Sequence, residues 1–392
     1  MDWSNWLAEQ QLARQKGNLQ RNRFAYSGRQ GSILSVGESQ FINFSSNDYL
    51  GLAGHPALSQ SLAESAAVNG VGSGASHLVC GHSEIHQQLE AALAAFVGAE
   101  RVLLLSSGYM ANIGLPQALT SRDDLILSDR LNHASLIDGI RLSRAKKRRF
   151  RHCDIEHAQL QAEQQKFSRC LVVTDGVFSM DGDIAPIQEL RLLSNKNNGL
   201  LLVDDAHGLG VVGSGGRGSL YASTAGGEFI DFESVLLMGT LGKAFGCYGA
   251  FVAGNANLIE HISQSCRSYI YTTAPPPAIA ACALSALELV KQGELTKNLH
   301  TNIQYFVSQA KAYDLPILTS SSAIQVLLVG DNIRVMNLSN MLRDKGFLVG
   351  AIRPPTVPEG TARLRITLSS THKVEQIDRL LIELRKAMDD EL

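Results

Sequence analysis

Between residues 100 and 240, short apolar runs alternate with longer stretches in which apolar residues recur at helical spacing. The runs are RVLLL (Arg101–Leu105), DLILS (Asp124–Ser128), CLVVTD (Cys170–Asp175), GLLLVDD (Gly199–Asp205) and SVLLMG (Ser234–Gly239). Strands that are apolar on both faces and joined by crossovers predict a mainly parallel sheet covered by helices, an α/β fold. Folds of this kind bind ligands beyond the carboxyl ends of their strands. After YTTAPPP (Tyr271–Pro277) a long helical pattern, Ala278–Lys291, leads away from the sheet. From about residue 290 the pattern changes. AIQVLLVGD and ARLRIT read as strands of a smaller α+β unit, and VEQIDRLLIELRKAMDD closes it as an amphipathic helix. The opening MDWSNWLAEQQLARQ carries Asp2 and Glu9 without a continuous apolar stretch, so it reads as an amphipathic helical arm and not a signal peptide or membrane anchor. These readings set an arm over 1–45, a large α/β domain over 46–289 and a small C-terminal domain over 290–392.

Length agrees with more than one domain, since 392 residues exceed the roughly 250 to 300 at which single cores stop growing. Charged residues are 18% of the chain, below the usual level of about 25%, which points to extra buried surface such as a homo-oligomer interface. A formal net charge of −2 provides no field for nucleic acid or an anionic membrane, so the expected partner is a small molecule. The six cysteines lack any C-x-x-C or framework spacing and read as reduced core thiols of a cytoplasmic protein. The basic run Lys146, Lys147, Arg148, Arg149 reads as a solvated helix end, with a docking patch for an acidic carrier protein as the sharper alternative.

Chemistry-bearing residues follow the apolar runs. Asp204 and His207 lie in VDDAHGLG, Ser179 in DGVFSMDGD, His133 in SDRLNHAS, and Gly108 in SSGYMAN at an expected helix start. Lys243 lies in LMGTLGKAFG among Gly239, Gly242, Ala244 and Gly246. Individually these are weak signals, because an aspartate after a strand caps a helix more often than it catalyses. GVGSGASH follows a helical segment and so fails the dinucleotide-loop context. His82 and His86 have i, i+4 spacing without a third ligand or catalytic glutamate in a zincin pattern, and read as structural. Together, a Schiff-base lysine, an aspartate for a pyridinium nitrogen and a helix N-terminus for a phosphate are what pyridoxal 5'-phosphate requires. Small residues around the lysine would leave room for the ring. No metal is called for.

NFSSNDYLGL, GSGASHLVCGHSEIH, DRLNHASLIDG, GVFSMDGD, VDDAHGLGVVG, TLGKAFG and AIRPPTVPEGTARLRITLS span nearly the whole chain. Through them it resembles the α-oxoamine synthases, fold-type I pyridoxal phosphate-dependent transferases. The resemblance implies that Lys243 is the Schiff-base lysine and base, Asp204 pairs with the pyridine nitrogen, and His133 stacks on the ring and assists at the acyl carbonyl. It implies that Ser179 and His207 bond the phenolic oxygen. Gly108, Tyr109 and Thr240 would hold the phosphate, with Thr272 and Thr273 reaching in from a second subunit of a homodimer. Asn47 and Arg353 would take the amino-acid carboxylate, and Arg21 and Thr356 the acyl substrate, with Arg23 as the alternative to Arg21. AIRPPTVP points to the member that condenses L-alanine with a pimeloyl thioester, on coenzyme A or acyl carrier protein, in biotin biosynthesis. A sibling joining glycine to acetyl-coenzyme A is the nearest alternative. An aminotransferase would share fold and cofactor, and a non-catalytic subunit would be expected to lack Lys243.

Overall fold

A computed structural model describes residues 2–222, 230–318 and 320–391. The chain divides into two compact units: one comprises Leu52–Ser179 and Asp183–Lys297, the other Met1–Gly51, Met180–Gly182 and Asn298–Leu392. This partition differs from the bounds 1–45, 46–289 and 290–392, because the N-terminal segment shares a sheet with the C-terminal region. Among the described residues no helix is long and apolar enough to cross a membrane.

The expected N-terminal helix covers Trp3–Lys16, started by the Asp2 carboxylate, which accepts from Asn5 N at 2.8 Å. It buries none of its residues in this chain, leaving Trp3 and Trp6 exposed. A hairpin follows, formed by β1 (Ile33–Val36) and β2 (Ser39–Asn43).

Seven strands build the sheet of the larger unit: β3 (Arg101–Leu105), β4 (Leu125–Asp129), β5 (Lys146–Phe150), β6 (Cys170–Asp175), β7 (Gly199–Asp204), β8 (Val235–Thr240) and β9 (Ala250–Gly254). Their order is β3-β9-β8-β7-β6-β4-β5, and β9 alone among them runs antiparallel to its neighbours. The apolar runs thus become strands to within a residue. Leu125, Ile126 and Leu127 of β4 and Val235, Leu236 and Leu237 of β8 are wholly buried, as both faces carry helices. Helices Gly108–Leu119 and Ala134–Leu142 contribute Ala111, Leu115, Leu136 and Ile140 to the same core. They approach closely at Gly139, where a Cβ would lie 2.0 Å from Asn112 O.

The basic run is corrected from helix to strand. Lys146–Phe150 is β5, paired only with β4 at the sheet edge, with Lys146, Lys147 and Arg149 exposed and Phe150 buried. Charge on an edge strand discourages pairing with another chain, which accounts for the composition. The cysteines also differ from a uniform core set: none of the six forms a disulfide, but Cys80 is exposed and Cys153 and Cys247 are half-buried.

In the other unit β10 (Ile317–Leu318), β11 (Ile324–Gly330), β12 (Phe347–Leu348), β13 (Gly350–Ile352) and β14 (Ala362–Thr367) follow. Four of them form an antiparallel sheet in the order β10-β11-β14-β13, while β12 pairs in parallel with β2. The last helix covers Val374–Asp390 as its pattern predicts, burying Ile377, Leu380, Leu381, Leu384 and Ala387 on one face.

Candidate active site

In the larger unit a cavity of about 170 Å³ opens beyond the strand ends, lined among others by Gly108, Tyr109, His133, Asp204, His207, Thr240 and Lys243. β7 ends on Asp204, whose carboxylate accepts from Ala206 N at 3.0 Å and Asn112 Nδ2 at 2.6 Å. Those two bonds aim the carboxylate from the following turn and from the facing helix. Asp175 ends β6 in register with Asp204 and also lines the cavity. Its Oδ1 accepts from His133 N at 3.0 Å, and its own N–H is held by Asn132 Oδ1 at 3.0 Å. Burial, reinforced by the neighbouring Asp204, raises the Asp175 pKa well above the carboxylate range.

His133 caps helix Ala134–Leu142. Its Nδ1 accepts from Ser135 N at 3.3 Å and lies 2.7 Å from Ser135 Oγ. An accepting Nδ1 places the single proton on Nε2, and burial lowers the ring's pKa, so the imidazole is neutral with one N–H to donate. Helix Gly108–Leu119 starts at the cavity, with Ser107 Oγ accepting from Met110 N at 3.3 Å. The earliest N–H groups of a helix have no intrahelical acceptor and suit an anion. At the end of β8, Thr240 Oγ1 accepts from Gly242 N at 3.2 Å and donates to Gly249 O at 3.1 Å, bracing the turn that carries half-buried Lys243.

The aminotransferase class I and II family matches residues 39–384. A Saccharophagus degradans protein named 8-amino-7-oxononanoate synthase is 46% identical over 99% of this chain and 98% of its own length. A Nitrosococcus oceani protein of the same name is 49% identical over 95% and 98%. Among solved structures, a serine palmitoyltransferase from S. paucimobilis with a bound PLP–myriocin aldimine superposes with a TM-score of 0.92 at 28% identity, covering 100% and 99% of the two chains. The chain is an α-oxoamine synthase of the class I and II aminotransferase family. Pyridoxal 5'-phosphate is its cofactor.

The donor set of the cavity fits that group. It holds one lysine amine, an oriented carboxylate, a neutral imidazole and a helix N-terminus, which are the partners for an aldehyde, a pyridine nitrogen, a ring face and a phosphate. At Gly108 a Cβ would make only an ordinary contact with Met238 Cε, at 3.4 Å, so packing alone does not require the glycine. Two of the glycines around Lys243 have another reason. A Cβ on Gly239 would lie 2.6 Å from the Phe251 ring, and Gly246, at φ +64°, would meet Ala53 N at 2.3 Å. Packing and backbone geometry demand them, whereas the exposed Gly242 meets nothing nearer than Thr240 Oγ1 at 3.6 Å.

Ser179 is buried just past β6 but does not line this cavity, nor do half-buried Thr272 and exposed Thr273. Residue patterns alone did not single out Asn112 or Asp175. Asp175 was visible as the last residue of CLVVTD, while nothing local to Asn112 reports its bond to Asp204. Asp205 sits beneath the loop. Its Oδ2 accepts from Ser219 N at 2.7 Å, and a Cβ on Gly176, Gly208 or Gly218 would fall within 2.5 Å of its carboxylate. Burial raises its pKa to about 7. His82 and His86 do gain a third imidazole, His77, with Nδ1 of His77 2.8 Å from Nδ1 of His82. Both nitrogens of His86 are nevertheless engaged, Nδ1 by Ser83 N at 3.0 Å and Nε2 with Pro275 O at 2.8 Å, which makes it a tie between two segments.

In the smaller unit, Asn47 Oδ1 accepts from Arg365 Nη1 at 3.2 Å and Nη2 at 3.3 Å and from the Tyr49 hydroxyl at 3.2 Å. Arg353 donates to Asn18 O and, at 3.3 Å, to Gln20 O. Arg21 Nη2 donates to Thr356 Oγ1 at 3.0 Å, so the expected pair Arg21 and Thr356 meet. Partial burial, with Arg21 nearby, lowers the Arg353 pKa.

Proposed function

We propose that this chain joins L-alanine to a pimeloyl thioester, giving 8-amino-7-oxononanoate, carbon dioxide and the free thiol. The observation that carries the reading is identity of 46 to 49% along nearly the full chain to proteins of that name, with Lys243, Asp204 and His133 around one cavity. When bound, pyridoxal 5'-phosphate supplies a pyridinium ring that withdraws electrons from the α-carbon of an amino acid held at its aldehyde carbon. Asp204, fixed by Ala206 and Asn112, keeps the pyridine nitrogen protonated. The N–H groups of Gly108 and Tyr109 and the Thr240 hydroxyl hold the phosphate. With an amino acid held there, Lys243 Nζ as a neutral amine would take the α-proton and later return one. His133, with its proton on Nε2, donates to the thioester oxygen as charge develops there. Arg353 and Asn47 hold the alanine carboxylate, and Arg21 and Thr356 the acyl chain. Thr272 and Thr273, absent from their own chain's cavity, complete the phosphate site of a second subunit in a homodimer. The test is product analysis by mass with alanine or glycine against pimeloyl and acetyl thioesters. Faster turnover of glycine with acetyl-coenzyme A would refute the assignment, and absence of complementation between Thr272→Ala and Lys243→Ala subunits in mixed dimers would refute the shared site.

A further inference from the structure

Outside the cavity, His152 lies between two carboxylates. Its Nδ1 is 3.2 Å from both oxygens of Asp129, and its Nε2 is 2.8 Å from Asp183 Oδ2. The ring stands edge-on to Phe178 at 4.4 Å. Two acceptors on opposite nitrogens require two N–H donors, so the ring is an imidazolium, and the hydrogen bonds to Asp129 and Asp183 overcome burial to push its pKa up to about 12.

Each carboxylate belongs to a loop that carries a residue the family resemblance assigns to the cofactor, His133 in one and Ser179 in the other. Asp129 is the last residue of β4, 1% exposed, and also accepts from Leu131 N and Cys153 N at 2.8 Å each. Its loop runs directly into His133. Asp183 closes the turn after β6, where its carbonyl accepts from Phe178 N at 3.0 Å and Val177 bridges to Ile184. Ser179 lies inside that turn. The hydrogen bond from His133 N to Asp175 connects the two loops on the cavity side, and His152 connects them on the other. The loops that carry His133 and Ser179 are thus joined at two points.

We propose that His152 is a positioning residue, whose ion pairs with Asp129 and Asp183 set where His133 and Ser179 stand against the cofactor. The proposal rests on the roles given above to those two residues. Its main readout, the visible circular dichroism of the bound cofactor, needs no acyl substrate, so it stands or fails separately from the choice of alanine and pimeloyl thioester.

The experiment compares the wild-type holoenzyme with His152→Ala, His152→Gln and Asp183→Asn, well below their unfolding temperatures. For His152→Ala the expected result is altered visible dichroism and a kcat lower by roughly 10- to 100-fold, the scale of a misplacement of about 1 Å, with the alanine KM within about twofold. His152→Gln, which keeps a donor but not the charge, should recover part of both. If His152→Ala does not fold, Asp183→Asn decides the matter, since that carboxylate is 40% exposed and its loss leaves the bonds to Asp129. Wild-type dichroism and kcat in the variants, however far the melting temperature falls, would reduce His152 to a purely structural role and overturn the proposal. Metal analysis is a further arm because Cys153 Sγ lies 3.7 Å from His152 Nε2 and 3.8 Å from Asp183 Oδ2. One equivalent of zinc per chain, lost in His152→Ala, would replace the ion-pair tie with a metal site.

Discussion

In the larger unit, Asp175 and Asp204 occupy the final positions of adjacent parallel strands, and backbone register alone brings them side by side. In the smaller unit, Asn47 and Arg365 meet across 318 positions of sequence, and Arg21 and Thr356 across 335. A parallel sheet delivers the ends of its strands to one side, whatever the residues there, so chemistry can be placed by choosing the residue after each apolar run. In the smaller unit the contacts depend on distant segments meeting, as where β12 pairs with β2. Losses in the first region should therefore appear in the chemical step, and losses in the second in substrate affinity or folding.

The largest effect should come from Lys243→Ala, which on the proposed mechanism removes both the attachment point and the base. Turnover is expected to fall by several decades, and the variant should no longer exchange the alanine α-proton for deuterium while retaining its fold. Borohydride reduction of the wild-type holoenzyme and peptide mapping should place the pyridoxyl group on Lys243. A label on another lysine, or near-normal exchange in the variant, would break the comparison at its strongest point.

The next effect is on stability and belongs to the smaller unit. His372 is buried against Phe44 with ring centroids 4.1 Å apart; its Nδ1 accepts from Ser369 N and its Nε2 donates to Asn43 O, both at 3.0 Å. This neutral ring has its pKa driven down to about 4 by burial, against about 6.5 in an unfolded chain. Between those values the unfolded state binds the additional proton, so stability falls as pH drops from 6.5 toward 4, by about 3 kcal/mol in all. Denaturant unfolding at several pH values should show that slope in the wild type and its loss in His372→Gln. An unchanged slope would mean that other groups dominate acid unfolding.

Arg353→Ala should give the smallest of these changes, with alanine KM rising by roughly one to two decades and kcat nearly unaltered, the scale of one charge-assisted hydrogen bond of about 1.5 to 3 kcal/mol. The same loss in Arg365→Ala with Arg353→Ala silent would move the carboxylate contact to the guanidinium that already engages Asn47.

Asp204, His133 and Lys243 were legible because each closely follows an apolar strand, and a strand long enough to be buried on both faces leaves little doubt about where it ends, whereas Thr240 came from the family resemblance. Asn112 was not legible: it occupies one position in a helical pattern, and its bond to Asp204 depends on which face of Gly108–Leu119 turns toward β7. The basic run was misplaced for a related reason. Four cations in a row carry no periodicity, so only the neighbouring β4 reveals that Lys146–Phe150 is an edge strand.

By itself the sequence determined the α/β class, the strands of the large sheet, the closing amphipathic helix and the lysine, aspartate and histidine that line one cavity beyond the strand ends. Those features depend on local periodicity and on what stands next to it. Only the tertiary structure decided that Met1–Gly51 groups with the C-terminal region, that Asp175 is the buried partner of Asp204, and that His152 joins two loops from behind. Each of these is a pairing between distant segments, and its energy arises from burial and hydrogen bonds that exist only once those segments have met.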